Sequence, residues 1–336
     1  MPGLSWIRLI WVPVYVTKSH FAPYLVPTGR FIREDAVTWN VGPSQPEHTL
    51  DVAKPKDARA VLHLIEEAGW AYTRDEITRL IAVQPGGLLL LRSSGIRHGI
   101  LGCVYASAWG RVGFIGLMLV RSSHRGRGLG MEMMMAALDH LAAEGATTIC
   151  LDAVIEAIGF YLKLDFKTSW QSHRYSIDTS KSELSAEGVD VMRAGASEVD
   201  RALELDRVHT GIDRSALLRR LFVDRDAKFL VVPGEKEVLA YGVLRRSKGC
   251  MRLGPIVAAP RVEDSVAVRS ILSTSIAESY PRMLTLNVPS YNKEAKDMLV
   301  SIGATEYAPC TRMYKGNPGR AASPEGVWAL GAAEKG

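Results

Sequence analysis

Val120-Arg121-Ser122-Ser123-His124-Arg125-Gly126-Arg127-Gly128-Leu129-Gly130 is the stretch on which the reading of this chain turns. The apolar run from Gly113 to Val120 before it reads as a strand, and the pattern from about Gly128 to Glu144 after it reads as an amphipathic helix. Between them, glycines allow a tight turn and a close approach of backbone to ligand. The first N–H groups of the helix have no intrahelical partner, and with the positive end of the helix dipole they make a site for a diphosphate. Arg125 and Arg127 can add charge-assisted hydrogen bonds, and the alternative is an arginine- and glycine-rich surface turn. The dinucleotide fingerprint GxGxxG and a Walker lysine are both absent from it.

Working outward, the folded part starts near His48 with a short strand, Leu50-Asp51-Val52, and a helix pattern from Pro55 to Gly69. Thr73-Arg74-Asp75-Glu76 is a capping-box signature for a second helix carrying Ile77, Leu80 and Ile81. Leu88 to Leu91, Gly99 to Ser107 and Gly113 to Val120 read as strands, and Thr148 to Ala153 is the strand after the glycine turn and its helix. Beyond the polar Ser180-Lys181-Ser182-Glu183 the order repeats. A strand from Val189 and helices from Ser197 and about Arg214 come first; strands Phe229–Val232, Val238–Leu244 and Met251–Val257 follow. A helix over about 262–279, a strand from Met283, a helix around Asn292 to Ile302 and a strand near Thr311 to Tyr314 complete the pass. Leu151-Asp152-Ala153 answers Leu286-Asn287-Val288, and Leu164-Asp165-Phe166 answers Ile302-Gly303-Ala304. The fold class is mixed α/β, with a mixed sheet and one fold in diverged tandem.

Arg125, Gly128 and Gly130 match (Arg/Gln)-x-x-Gly-x-(Gly/Ala), so this segment resembles the acyl-CoA signature of the GNAT (GCN5-related N-acetyltransferase) superfamily. Tyr161-Leu162-Lys163-Leu164-Asp165-Phe166 is similar to that family's Tyr-x-x-Leu-Gly-Phe stretch, with Asp165 where glycine is usual. Asp tolerates the left-handed conformation better than most residues. The resemblance covers about residues 48–178. It implies acetyl-CoA, or another acyl-CoA, as co-substrate, held by Arg125, Gly126, Arg127, Gly128, Leu129 and Gly130 with the strand end at Leu119 and Val120. A backbone N–H near Leu119 would be the oxyanion contact. Tyr161 would stand near the CoA sulfur and protonate the leaving thiolate; the alternative is a helix tyrosine packed on the core. Relatives place a glutamate on the strand before the turn, but Phe114 to Val120 contains no acid. Glu76, Asp152 and His124 remain candidate bases, beside deprotonation of the amine through water.

In the second half, Ala258-Ala259-Pro260-Arg261-Val262-Glu263-Asp264 stands where the glycine turn belongs. It has no glycine, a proline without an N–H and two carboxylates that repel a diphosphate, so this half is not expected to hold CoA. The whole chain thus resembles a two-part GNAT group with a degenerate carboxyl-terminal copy, and Gly211-Ile212-Asp213-Arg214 looks like that group's Gly-x-Asp-Arg element. Arg214 with Asp213 is expected to project toward the first half's active site and bind substrate; a helix-capping Asp213 with a solvated arginine is the alternative.

The expected organisation is an extension over 1–47, a CoA-binding catalytic domain over 48–178, a degenerate domain over 188–316 and a tail over 317–336. The 336 residues carry 41 Lys+Arg against 36 Asp+Glu, an excess that suits a phosphorylated ligand and is too small to imply nucleic acid. Cys103, Cys150, Cys250 and Cys310 are isolated, which points to no metal site and a reducing compartment. Leu9 to Val16 is too short to span a bilayer. Basic residues without acids before Glu34 leave three readings of the extension: a poorly ordered segment, a transit segment, or a product of start-site choice. The location expected is cytoplasmic, or organellar if the segment is a transit signal. The function implied is acetyl transfer to a small-molecule amine by a monomer or homodimer, without nucleic-acid or membrane partners. The alternative is a module that binds acyl-CoA without turnover.

Overall fold

The computed structural model describes residues 48–95, 99–182, 184, 189–259, 264–317, 319 and 326–332. The extension over 1–47 and most of the loop that replaces the glycine turn in the second half (260–263) lie outside the described residues. Among the described residues no helix is long and apolar enough to cross a membrane.

The first half runs β1 (His48–Val52), α1 (Ala58–Glu67), α2 (Arg74–Val83), β2 (Leu88–Ser93), β3 (Ile100–Trp109), β4 (Val112–Val120), α3 (Leu129–Ala143), β5 (Thr148–Ala153), α4 (Ile158–Leu162) and β6 (Lys167–Asp178). The second repeats the order with β7 (Met192–Arg193), α5 (Ala196–Thr210), α6 (Ser215–Phe222), β8 (Ala227–Pro233), β9 (Val238–Ser247), β10 (Cys250–Ala258), α7 (Asp264–Ser279), β11 (Met283–Pro289), α8 (Lys293–Ser301) and β12 (Thr305–Gly316). The local signals act as their chemistry dictates. Thr73 Oγ1 accepts from the Glu76 N–H at 3.2 Å while Glu76 Oε2 accepts from the Thr73 N–H at 2.8 Å, a closed capping box that starts α2.

Among the described residues the strands join one sheet, whose main path runs β1-β2-β3-β4-β5-β12-β6-β11-β10-β9-β8-β7. The halves are therefore not beads on a string. The last strand of each has crossed over: β12 pairs antiparallel with β5 of the first half, and β6 pairs antiparallel with β11 of the second. The two exchanged strands also pair with each other at the centre. This gives a pseudo-twofold arrangement about the β6–β12 contact. The pairs β4–β5 and β10–β11 are parallel, so the sheet is mixed.

Helices α1 and α2 pack their apolar stripes on one face of the first half, with Leu88, Leu90, Leu117 and Leu119 beneath them. Helices α5 and α6 cover the same face of the second half, and their core reaches Phe114, Cys150 and Trp170 of the first. Helices α3 and α4, and α7 and α8, cover the opposite face. The α2 helix is also tied to the second half by charge, through Arg79 to Asp224 at 2.6 Å, with Arg79 buried.

One element has no counterpart in the sequence reading. Within the expected tail, Val327–Ala329 forms β13 and pairs antiparallel with β10. A strand of three residues is too short for alternation to reveal it.

Candidate functional site

The parallel ladder between β4 and β5 is short. It runs from Val112 opposite Thr148 to Ile115 opposite Leu151, and then the strands part. The separation originates in β4: Leu117 takes a positive φ of 49°, and the β3–β4 register shifts between Cys103 and Tyr105. Such a bulge bends the strand and leaves backbone groups unpaired by the ladder. Leu117 to Val120 therefore lines one side of a wedge, with β5 diverging on the other. Leu119 and Val120 lie on this stretch, paired with Cys103 and Gly102 of β3 on one side and outside the β4–β5 ladder on the other.

The glycine turn sits at the mouth of the wedge. Arg125 Nε donates back to the Val120 carbonyl at 2.9 Å, and Arg121 Nε donates to Ile100 O at 3.2 Å, so both ends of the turn are fastened to the sheet. Gly126 and Gly128 have φ of 77° and 80°, which an L side chain rarely adopts, and Gly128 is the N-cap of α3. A Cβ on either glycine would meet no atom within 4 Å, so the backbone there faces open space. Leu129 and Gly130 follow as the first turn of α3, where N–H groups lack helical acceptors. Arg127 is exposed on the same turn.

Tyr161 is buried on α4, with edge-to-face contacts to Phe160 at 5.2 Å and Phe166 at 5.9 Å. Burial, with a smaller push from the Cys310 thiol, raises its pKa to about 12, so the phenol keeps its proton at neutral pH. Asp165 occupies the left-handed position with φ 63°, and Gly303 holds the matching place after α8 with φ 76°. The chain turns back alike at both: Phe166 N bonds to Tyr161 O at 3.2 Å, and Ala304 N to Leu299 O at 3.0 Å. The exchanged strand supports the end of α4, because Lys315 Nζ of β12 donates to Leu164 O at 2.8 Å.

The candidate bases are all engaged. Asp152 on β5 meets Arg312 on β12 at 2.5 Å, with side chains 1% and 2% exposed. Glu76 is buried; beyond its capping role it accepts from Ser247 Oγ at 3.2 Å and lies 3.9 Å from Arg245. His124 sits on the turn, its Nδ1 2.8 Å from Ser123 Oγ.

Arg214 does not project toward the first half. It is buried in the second half, where its guanidinium donates to both oxygens of Asp206 at 2.9 and 2.8 Å, and Tyr241 Oη donates to the same carboxylate at 2.5 Å. A buried guanidinium needs a carboxylate, and Asp206 supplies it one turn before the end of α5. Asp213 accepts from Ser215 N at 3.0 Å and Ser215 Oγ at 2.5 Å, which holds its carboxyl below the usual range just ahead of α6.

The corresponding wedge of the second half is filled. The β10–β11 ladder spans only Cys250 to Arg252, and beyond it β13 lies between the parting strands. Leu330 N donates to Asn287 O of β11 at 2.8 Å, Asn292 Nδ2 donates to Val327 O at 3.0 Å, and Trp328 and Leu330 are buried. The chain's own C-terminal strand thus occupies the place that stands open in the first half.

Sequence reasoning read a strand near Thr311 to Tyr314 and an isolated Cys310, but it gave Cys310 no place at the site and did not single out Arg174 of β6. Cys310 and Arg174 lie together on the helix α1/α2 face at the sheet centre. Arg174 Nη2 contacts Cys310 Sγ at 2.9 Å, and burial pushes that thiol up to about 11. The signal available was the match of Asp152 to Asn287, which pairs each arginine with a different partner. Among the described residues no cluster of His, Cys, Asp or Glu is placed to hold a metal ion.

Comparison with known proteins accords with this architecture. Residues 59–166 match the model of the acetyltransferase (GNAT) family, and residues 202–328 match an acetyltransferase (GNAT) domain model. A Bacillus subtilis (strain 168) protein named "Uncharacterized N-acetyltransferase YitH" is 23% identical over 243 residues, 72% of this chain and 83% of that one. A Pyrococcus horikoshii crystal structure, provisionally named an acetyltransferase, superposes with a TM-score of 0.72 at 22% identity, covering 88% of this chain and 99% of that one. A GCN5-related N-acetyltransferase from Sphaerobacter thermophilus gives a TM-score of 0.56 at 11% identity over 81% and 96% of the two chains. With one GNAT model matching each half and the paired halves sharing one sheet, the chain belongs to the GNAT acetyltransferase superfamily as a two-part member.

Proposed function

We propose that the chain transfers an acetyl group from acetyl-CoA to a primary amine by direct attack in a ternary complex. The observation that carries this reading is the asymmetry of the wedges: the first is open with a glycine turn at its mouth, the second is closed by β13. In this reading the turn from Arg125 to Gly130 and the first N–H groups of α3 take the diphosphate. The unpaired edge from Leu117 to Val120 takes the pantetheine arm, and a backbone N–H near Leu119 takes the oxyanion.

The acceptor nitrogen attacks the thioester carbonyl, the C–N bond forms and the C–S bond breaks, and a proton must leave nitrogen while the thiolate gains one. Tyr161, protonated at neutral pH, donates toward the thiolate. With Glu76 and Asp152 both engaged, the nitrogen gives its proton to water. No covalent enzyme intermediate is required. The commitment of both carboxylates also favours a second reading, a module that binds acyl-CoA without turnover.

The test is release of free thiol from acetyl-CoA in the presence of a panel of amines. Amine-dependent release supports transfer. Binding of acetyl-CoA with no release above the amine-free rate supports the second reading instead.

A further inference from the structure

The pseudo-twofold arrangement relates specific residues. Both β6 and β12 are 12 residues long, and Arg174 and Arg312 hold the same position in each. Arg312 lies opposite Asp152 of β5, and Arg174 lies opposite Asn287 of β11, the residue that answers Asp152 in the repeat. All four face the helices α1, α2, α5 and α6, because their neighbours Leu151, Met313, Tyr175 and Leu286 belong to the cores on the other face.

At one of these equivalent places the arginine is neutralised by a buried carboxylate; at the other the carboxylate has become an amide. Arg174 is half-buried, and among the described residues it has no carboxylate within 4 Å. Its contact is the Sγ of Cys310 at 2.9 Å, on the strand next to β5. A thiol kept protonated by burial is a weak partner for a planar guanidinium with several donors. The same Cys310 lies close enough to Tyr161 to act on it electrostatically. The side chain of Arg174 therefore leans from the sheet centre toward the first half's strands, carrying a positive charge with no carboxylate within ion-pair distance among the described residues.

We infer that Arg174 binds a carboxylate on the acceptor, so that the substrate class is amines that also carry a carboxylate, such as amino acids or their close analogues. The substrate's carboxylate takes at Arg174 the role that Asp152 takes at Arg312. A bidentate guanidinium–carboxylate contact would also orient the amine toward Tyr161. This rests on the acetyl-transfer reading above.

Acceptors taken in matched pairs test it: phenylalanine with phenethylamine, valine with isobutylamine, and lysine with cadaverine. Acetyl-CoA consumption gives kcat/KM for each, and calorimetry gives the acetyl-CoA Kd separately. The wild type is expected to prefer the carboxylated member by about tenfold or more, the ratio that one charge-assisted contact supports. Arg174→Gln is expected to remove that preference through the acceptor's KM while the acetyl-CoA Kd stays unchanged. Arg174→Lys, which keeps the charge and loses the fork, is expected to retain part of it and guards against a general loss of fold. Equal use of both members, a preference that survives Arg174→Gln, or turnover of the plain amines without turnover of any carboxylated acceptor would each overturn the inference. Those outcomes require turnover of at least one amine, whereas failure of the acetyl-transfer reading appears as no release of thiol with any amine, carboxylated or not.

Discussion

Arg312 of the second half and Asp152 of the first form an ion pair buried at the seam where the exchanged strand meets β5. The guanidinium lies over the rings of Trp170, 4.8 Å from its centroid, and Phe114, 5.3 Å away. It replaces lost hydration with a carboxylate on one side and two aromatic faces on the other.

Breaking this pair on one side should be costly. Arg312→Ala or Asp152→Ala alone is expected to lower stability by roughly 3–5 kcal/mol, because each leaves an uncompensated buried charge. The double change Asp152→Leu with Arg312→Met is expected to lose much less. Denaturant unfolding of the three variants measures this, and additive losses would contradict the pairing.

Tyr161→Phe removes the hydroxyl and keeps the contacts with Phe160 and Phe166. The expected result is a fall in kcat of about 10²-fold, with the acetyl-CoA Kd unchanged. Since the folded pKa is raised to about 12 from an ordinary 10, the phenol stays protonated through the neutral range. The deficit should therefore be the same at every pH between about 7 and 9. The sign for stability follows: with the folded pKa above the unfolded one, the difference in stability between wild type and Tyr161→Phe is constant below about pH 10, and the wild type should lose stability relative to Tyr161→Phe as pH rises from about 10 toward 12.

Asp165 holds a left-handed conformation with its side chain 92% exposed, and Lys315 is 3.6 Å away. A pair this exposed contributes little. Asp165→Gly should relieve the backbone cost and raise stability by about 0.5–1 kcal/mol, read as a higher thermal midpoint.

With the second wedge occupied by β13, the chain should bind one CoA, not two. Calorimetry should give a stoichiometry of one for the wild type. Trp328→Ala, which empties a buried site on β13, should cost roughly 3–5 kcal/mol. A second equivalent of CoA bound by the wild type would contradict the occupied wedge.

Much of this was legible in the chain itself. Glycines 126 and 128 announced a turn that needs positive φ, Thr73 and Glu76 announced a cap, and the answering triplets around Asp152 and Asn287 announced a repeat. These are local signals, carried by residues within a few positions of one another. The exchange of β6 and β12 was not legible, because a strand's alternation is satisfied equally against either half's edge. The surroundings of Arg214 were not legible either. Its partner Asp206 lies across a helix end, and sequence spacing does not show that Tyr241 arrives at the same carboxylate. The charge of Arg174 became visible only when the sheet order placed Asn287 opposite it.

The most direct test of the account is the thermal midpoint with and without acetyl-CoA, for the wild type and for Gly128→Glu. At about a hundred times its Kd a ligand stabilises the native state by about 2.7 kcal/mol. For a single cooperative sheet of this size that is a rise of about 4–5 °C. Gly128→Glu places a side chain at positive φ and a carboxylate at the mouth of the wedge, so it should fold with a lower midpoint and show no rise on adding acetyl-CoA. A wild-type rise that vanishes in Gly128→Glu is the result this account predicts. A folded wild type with no rise, or an equal rise in both proteins, would contradict the placement of CoA on the glycine turn.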